Sequence, residues 1–439
     1  VFETVEEAVA WLHQRRNFNG RPGLIRVMRL LAMLGNPERR LRAIHVAGTN
    51  GKGSVTAYLR NILAETGLTV GSFTSPFIET FNERIAVDSQ PITDADLLEE
   101  LKRVQPFVEA LDQQPELSEI TEFEILTAAA FDYFARINVD AAVIEVGIGG
   151  LLDSTNVLTP LVSVITTIGM DHMDLLGDTL AKIAAQKAGI IKSGIPIVTG
   201  KLPEAAQTIV AETAKKAEAP LYELGRDFFA DSGILDGELF ENFSFSDRTV
   251  RWPHLRTPLI GKHQVENAAV ALEAARLFAE KLGLSITRND IKKGLDKTRW
   301  PGRMEIISTE PLIMLDGAHN APAAQRLAEN LRKEFSGRQL FLIIGSLATK
   351  DLTAILAPLA KLPGVKIYLT PFEYPRARSE AQLAAFSGGK IQVVSAWQEG
   401  LADALANLNE TDDLILFTGS LYFISEIRAA LLEGEKNEI

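Results

Sequence analysis

The 439-residue sequence contains no cysteine, which excludes disulfides, thiolate metal sites and a cysteine nucleophile. It has no apolar run near the ~18 residues that a membrane-spanning helix needs. It also has no block of Lys or Arg, and its net charge is -12. That combination offers no basic footprint for nucleic acid or for a membrane surface. Low-complexity segments and short-period repeats are missing too. The first residues, Val1-Phe-Glu-Thr-Val-Glu-Glu7, are acidic and amphipathic rather than basic and then apolar. The expectation is therefore a cytoplasmic protein, in which the Asn242-Phe-Ser244 sequon carries no meaning. What is present, 46% hydrophobic and 23% charged residues, is the composition of a soluble globular enzyme. Its length allows two or three domains.

Short apolar runs alternate with amphipathic helical patterns. Strands are expected at Ala43–Ala47, Thr69–Thr74, Ala141–Val146, Leu161–Thr167 and Ile195–Thr199, with helices at Ile92–Leu111, Glu122–Arg136 and Leu180–Lys192 between them. This alternation predicts a parallel α/β sheet. From about Leu221 to Leu259 the pattern becomes short and aromatic-rich, as in Phe240-Glu-Asn-Phe-Ser-Phe245, and predicts a small antiparallel insertion. A helix with Asn267 and then Ile291–Lys297 follow. Arg299-Trp-Pro-Gly302 reads as a linker. Strands then resume at Leu312–Leu315, Leu340–Ile344, Lys366–Leu369, Ile391–Val394 and Leu414–Phe417. The expected architecture is α/β throughout: a P-loop-containing parallel-sheet ATPase domain over 1–297, carrying the small antiparallel insertion, then a smaller Rossmann-like domain over 298–439.

The densest chemistry lies in Arg42-Ala-Ile-His-Val-Ala-Gly-Thr-Asn-Gly-Lys-Gly-Ser54. A buried strand (Ala43–Ala47) breaks into a loop with Gly48, Gly51 and Gly53, and a helical pattern follows through Val55, Leu59 and Ile62 to Gly67. Strand, glycine loop, lysine and helix N-terminus make a phosphate cradle, with backbone N–H groups and the Lys52 charge facing an anion. The match to the general P-loop is incomplete. Val46 occupies the first glycine position, and Gly53 displaces the hydroxyl to Ser54.

Ligands of open parallel sheets bind beyond the carboxyl ends of the strands. Four expected strands end in polar groups, read as one edge: Thr74-Ser75, Glu145, Asp171-His172 and Asp316. Any one of them could be a helix cap. Together they offer a hydroxyl, carboxylates and an imidazole suited to Mg²⁺ in an ATP site. Lys187 interrupts the helical stripe Leu180, Ile183, Ile190, Ile191, which places it on a buried face. It is either a snorkelling lysine or one with a depressed pKa, able to take up CO₂ as a metal-binding carbamate. Periodicity does not decide between them.

The ordered set of motifs resembles the folylpolyglutamate synthase/dihydrofolate synthase family of the Mur ligase superfamily, across almost the whole chain. The stretches that carry the resemblance are His45–Ser54, Phe73-Thr-Ser-Pro-Phe77, Phe81-Asn-Glu-Arg-Ile85, Thr121-Glu-Phe-Glu124, Glu145-Val-Gly-Ile-Gly-Gly150, Asp153-Ser-Thr-Asn156, Asp171-His172 and Lys187-Ala-Gly-Ile190. Trp300-Pro-Gly-Arg303, Asp316-Gly-Ala-His-Asn320 and Thr418-Gly-Ser-Leu-Tyr422 complete the set. The departure from the general P-loop is then this family's own version of it.

The resemblance implies roles for these positions. Gly48, Thr49, Asn50, Gly51, Lys52, Gly53 and Ser54 would bind ATP phosphates, Asn267 would contact adenine, and Arg303, Asp316 and His319 would reach the nucleotide from the second domain. Ser54, Ser75, Glu145, His172 and a carbamylated Lys187 would hold two Mg²⁺ ions. Lys52, Lys187, His172 and Arg303 would be catalytic. Thr121, Glu122, Phe123, Glu124, Leu152, Asp153, Ser420 and Tyr422 would contact substrate. Phe77 stands where many members have His, Leu151 where many have Arg, and Ala321 separates Asn320 from its usual proline.

The implied reaction is ATP-dependent amide formation between a folate carboxylate and the amine of L-glutamate through an acyl phosphate, with closure of the two domains assembling the site. Dihydropteroate is a further acceptor that the motifs leave open. Such a protein would be a monomer with no nucleic-acid or membrane partner. The alternatives are another Mur-type amino-acid ligase, which would carry a sizeable domain ahead of the P-loop, and a P-loop ATPase or switch protein without ligase activity.

Overall fold

The computed structural model describes residues 2–15, 23–409 and 413–437. The chain folds as two compact units. The first comprises Val1–Ile234, Asn242–Pro258 and Gln264–Thr298, and the second comprises Leu235–Glu241, Leu259–His263 and Arg299–Ile439. The second unit thus collects two short segments from the region of the expected insertion.

The first unit is built on an eight-stranded sheet. Its strands are β1 (Ala43–Ala47), β2 (Val70–Phe73), β3 (Ile85–Val87), β4 (Gln90–Pro91), β5 (Ala141–Glu145), β6 (Val162–Ile165), β7 (Ile197–Thr199) and β8 (Leu221–Glu223). The order is β4-β3-β2-β5-β1-β6-β7-β8. Pairing is parallel from β2 to β8, with β3 and β4 antiparallel at one edge. The expected parallel core is present, and its central strands are buried on every residue, as crossover helices on both faces require. The antiparallel edge pair was not expected. It is two and three residues long and ends in Pro91, a short edge that resists further pairing.

The aromatic-rich stretch forms a separate three-stranded sheet, β9 (Phe229–Leu235), β10 (Glu241–Ser246) and β11 (Arg251–Thr257), in the order β11-β10-β9. Its expected start at Leu221 is corrected, because β8 pairs in parallel with β7 and extends the main sheet. Helix Glu122–Arg136 begins where expected, at a capping box between Thr121 and Glu124. Helix Leu180–Ala188 stops short of the expected Lys192, at a Gly189 C-cap.

The second unit holds a six-stranded sheet of β12 (Glu305–Thr309), β13 (Leu312–Leu315), β14 (Leu340–Ile344), β15 (Val365–Leu369), β16 (Ile391–Val393) and β17 (Leu414–Thr418). Its order is β12-β13-β17-β14-β15-β16, parallel except for β12. Side chains alternate across it. Leu340, Leu342 and Ile344 enter one apolar cluster with Met314 and Leu416, while Phe341 and Ile343 enter another with Leu315 and Phe417. Asp316 follows β13 in this sheet, so the single polar edge read from the sequence is two edges: Ser75, Glu145 and Asp171-His172 on the first sheet, Asp316 on the second.

Candidate active site

In the first unit the register pairs Val46 with Glu145, Ala47 with Ile165 and Phe73 with Ile144. The carboxyl ends of β2, β5, β1 and β6 therefore share one edge. The glycine loop leaves β1 there and enters helix Lys52–Ala64 through Gly51, which is left-handed at φ 90°. The segment after β6 clamps the loop. Thr49 and Asn50 donate their backbone N–H to Thr167 O (2.8 Å) and Thr167 Oγ1 (3.0 Å). Thr166 and Thr167 in turn donate hydroxyls to Asn50 O at 2.6 and 2.9 Å. The approach is so close that a Cβ on Gly48 would lie 1.9 Å from Thr166 Oγ1. These two threonines were missed at sequence level. Their only signal was a hydroxyl pair at the end of a strand next to β1.

Lys52 Nζ donates to Gly48 O at 3.2 Å and lies 3.9 Å from Glu145 Oε1, both side chains largely buried. Ser54 Oγ is buried without a hydrogen-bond partner. Asn267, on helix Lys262–Lys281, faces the same loop, where a Cβ on Gly51 would come within 2.5 Å of its Oδ1. Lys187 is buried, as its periodicity predicted, and Nζ donates to Gly48 O at 3.0 Å. Burial, aided by the charge of Lys52 and opposed by Asp171 and Asp153, lowers its pKa to about 7. The P-loop lysine and the helical lysine thus meet on one carbonyl.

His172 is exposed at φ 49°, with Nε2 4.0 Å from Asp171 Oδ2. Ser75 is partly buried and precedes Pro76. Among the described residues no three His, Cys, Asp or Glu gather as a metal centre. The donors that do fit Mg²⁺ are the buried Ser54 hydroxyl and the Glu145 carboxylate, hard oxygens that leave positions for water and phosphate.

The proposed substrate side is held by internal bonds. Glu124 accepts from Arg26 Nε at 3.0 and 3.2 Å and from Thr121 N at 2.8 Å. Glu122 accepts from Arg84 Nη1 at 2.7 Å and lies 3.1 Å from His13 Nδ1. Phe123 packs on Phe73, ring centroids 5.7 Å apart. Asp153 accepts from Ile148 N (3.0 Å), Thr155 N (3.0 Å) and Thr155 Oγ1 (2.5 Å). Since Thr155 Oγ1 gives its proton to Asp153, it accepts from His45 Nε2 at 2.8 Å. Burial, with the Lys192 charge adding, lowers the His45 pKa to about 3 and keeps it neutral. This chain ties the loop after β5 to the phosphate-loop strand, a link no spacing could reveal. Leu152 is 45% exposed on that loop.

In the second unit Asp316 is buried and accepts from Met304 N and Ala318 N, each at 3.0 Å. Burial raises its pKa against the Arg303 charge. Arg303 Nη1 donates to Gly302 O at 3.2 Å. His319 Nδ1 lies 2.8 Å from Gly317 O, so that nitrogen carries the proton. Ser420 is buried just ahead of helix Leu421–Asn437, and Tyr422 is 41% exposed, stacked on Tyr374 at 4.1 Å.

Residues 46–275 match the Mur ligase middle domain, and residues 302–421 match the Mur ligase glutamate ligase domain. The chain is 41% identical to the dihydrofolate synthase/folylpolyglutamate synthase of Bacillus subtilis, covering 98% of this chain and 100% of that protein. It is 43% identical to the folylpolyglutamate synthase of Lacticaseibacillus casei, over 98% of this chain and 99% of that one. A solved FPGS–AMPPCP–folate complex superposes with a TM-score of 0.87 at 40% identity, covering 98% of this chain and 100% of the other. Fold, phosphate loop and full-length similarity agree: the chain belongs to the folylpolyglutamate synthase/dihydrofolate synthase branch of the Mur ligases, ATP-dependent glutamate ligases.

Proposed function

We propose that this protein joins L-glutamate to a folate carboxylate at the expense of ATP, with ADP and phosphate as the other products. The full-length identity to two named synthases carries this reading, and the clamped Gly48–Ser54 loop supports it. A carboxylate is a poor electrophile, so one of its oxygens attacks the γ-phosphorus and ADP leaves. The glutamate amine then attacks the acyl carbon, loses a proton and expels phosphate.

Lys52 meets the charge that builds on the transferring phosphoryl group, where a buried cation acts more strongly than in water. The backbone N–H groups of Gly51, Gly53 and Ser54 face the same phosphates, and Asn267 abuts the adenosine. Arg303, Asp316 and His319 form the second unit's contribution to nucleotide binding. Ser54 and Glu145 would hold Mg²⁺, with Ser75 and His172 as the further ligands that the family resemblance implies, and the ion would supply charge neutralisation and a template for the phosphate oxygens.

Lys187 carries a carbamate in the active enzyme. With its pKa lowered to about 7, a large share of its amine is unprotonated at neutral pH; the unprotonated amine adds to the carbon of CO₂ and releases one proton, becoming an anionic oxygen donor. On the folate side Phe123 and Leu152 supply apolar contact. Glu122, Glu124, Thr121 and Asp153 hold the surrounding backbone, while Ser420 and Tyr422 serve the glutamate side. The enzyme acts as a cytoplasmic monomer with domain 1–297 binding ATP and domain 298–439 serving the amino acid.

The test is ADP release measured with tetrahydrofolate, with dihydropteroate and with neither, each with and without L-glutamate. Turnover that needs both an acceptor and glutamate supports the ligase, and the preferred acceptor shows whether dihydrofolate synthesis accompanies it. Turnover indifferent to both excludes the ligase reading.

A further inference from the structure

At the centre of β1, between the apolar Ile44 and Val46, stands His45. Its side chain is fully buried, and its Nδ1 has no hydrogen-bond partner. An aliphatic side chain would fill this position without leaving a buried polar atom unsatisfied, which costs free energy in a packed interior. What the imidazole adds is its other nitrogen. Thr155 Oγ1 gives its proton to Asp153 Oδ1, so His45 Nε2 carries a hydrogen and donates it to that hydroxyl at 2.8 Å. The bare Nδ1 belongs to the same tautomer. His45 therefore fixes the direction of the hydroxyl, and the hydroxyl fixes Asp153.

Asp153 in turn closes the loop after β5. Its carboxylate accepts from Ile148 N and Thr155 N, each at 3.0 Å, and from Gly147 N. The turn so formed displays Ile148, Leu151 and Leu152, all exposed. Its far side rests on the helix that carries Lys187. Leu151 N donates to Gln186 O at 2.7 Å, and Asn156 Nδ2 bridges Leu151 O and Gly189 O at 3.0 and 3.1 Å. This contact has no slack. A Cβ on Gly150 would lie 2.7 Å from Gln186 O, and one on Gly189 would lie 2.4 Å from Leu151 Cα. A turn packed this closely holds one shape or loses its contacts.

We propose that His45 is a positioning residue for the acceptor: through Thr155 and Asp153 it holds the turn from Ile148 to Leu152 in the shape that receives the acceptor's flat ring system. Fully buried, His45 touches no substrate itself. It lies three residues before Gly48, so the strand that delivers the phosphate loop also carries the group that shapes the acceptor turn. Placing both on one rigid element fixes the distance between the two substrates before they react. This assignment rests on the ligase reading above, and its failure is separable from the failure of that reading.

The experiment compares the full-length wild type with Thr155→Val, His45→Leu, His45→Gln and the double variant of the first two. KM is measured for tetrahydrofolate and L-glutamate, affinity for a non-hydrolysable ATP analogue by calorimetry, and amide hydrogen exchange across 147–156 and at Thr49 and Asn50. Breaking the chain raises KM for tetrahydrofolate by ~3- to 10-fold in Thr155→Val and in His45→Leu, the worth of one buried hydrogen bond, and speeds exchange across 147–156. KM for glutamate, nucleotide affinity and exchange at Thr49 and Asn50 stay unchanged. His45→Gln, whose side-chain amide still donates to Thr155, stays close to wild type. The double variant is no worse than Thr155→Val alone, because both changes break one chain. If His45→Leu does not fold, the near-isosteric Thr155→Val decides the matter. An unchanged KM for tetrahydrofolate overturns the proposal whether or not exchange speeds up, and so does an equal loss of nucleotide affinity. Wild-type turnover that ignores the acceptor overturns the ligase reading, and this assignment with it.

Discussion

Lys187 Nζ donates a 3.0 Å hydrogen bond to the backbone carbonyl of Gly48, the oxygen that also takes Lys52 Nζ at 3.2 Å. Two lysine nitrogens share one acceptor, and Lys187 is the more deeply buried of the two. Burial and the Lys52 charge both disfavour a proton on Lys187, which is why its pKa falls to about 7.

Removing the neighbouring charge should reverse part of that shift. In Lys52→Ala the Lys187 pKa rises above about 7, so at neutral pH its amine becomes more protonated and reacts more slowly with an amine-directed label. Lys187→Ala should lower kcat by ~10²- to 10³-fold, the cost of losing one fixed electrostatic group at a reacting centre. Wild-type activity should fall in CO₂-depleted buffer, return with bicarbonate, and be accompanied by a labelled carbamate signal. A Lys187→Ala enzyme with normal turnover and no CO₂ dependence would remove the carbamate from the mechanism.

The clamp on the phosphate loop should be visible in nucleotide binding. Thr166→Ala deletes the 2.6 Å bond to Asn50 O and should cost about 1 kcal/mol of stability. KM for ATP should rise while KM for glutamate stays. Gly48→Ala forces a Cβ to within 1.9 Å of Thr166 Oγ1, and should weaken ATP binding more than Thr166→Ala does. Calorimetric titration with a non-hydrolysable ATP analogue checks both, and equal affinities in all three proteins would argue that the clamp is idle.

Glu124 is expected to act through Arg26. Both side chains are almost fully buried, so Glu124→Ala takes the carboxylate away from a buried guanidinium and should cost up to ~3–5 kcal/mol in denaturant unfolding. The double variant with Arg26→Met should regain part of that loss. Full stability in Glu124→Ala, with only KM for folate altered, would instead make Glu124 a direct substrate contact.

A pH effect on stability is expected away from the site. Glu100, on helix Asp94–Asp112, is buried against Asp132, with Arg136 Nη2 at 3.2 Å from it and Arg103 on Asp132. Burial first, then the Asp132 charge, raises its pKa to about 8, opposed by Arg136. The folded chain keeps this proton after the unfolded chain has lost it. Its contribution is therefore complete below the ordinary carboxyl pKa of 4.5 and is lost as pH rises through about 8. The slope over that window is up to about 1.4 kcal/mol per pH unit. Glu100→Gln should flatten the alkaline side of the stability profile, and an unchanged slope would contradict the assignment.

Much of this was legible in the chain itself. β1, β13 and β14 fall where apolar runs predicted them, because strands buried on both faces read as continuous hydrophobic segments. Lys187 was legible as buried because a helix repeats every 3.6 residues and its neighbours in the stripe are apolar. The edge strands β3, β4 and β12 were not legible. They are short or half exposed, so they carry little hydrophobic signal.

Sequence alone therefore determined the family, the glycine loop and the two α/β halves, all of which depend on local order along the chain. Tertiary structure decided which polar strand ends share an edge, since register and strand order are set by pairing between distant segments. Asp316 was thereby separated from Glu145, and Thr166 and Thr167 were joined to Asn50. It also decided that Lys187 and Lys52, 135 positions apart, meet on one carbonyl. Charge, burial and hydrogen-bond partners at those points are properties of neighbours in space, and no spacing along the chain encodes them.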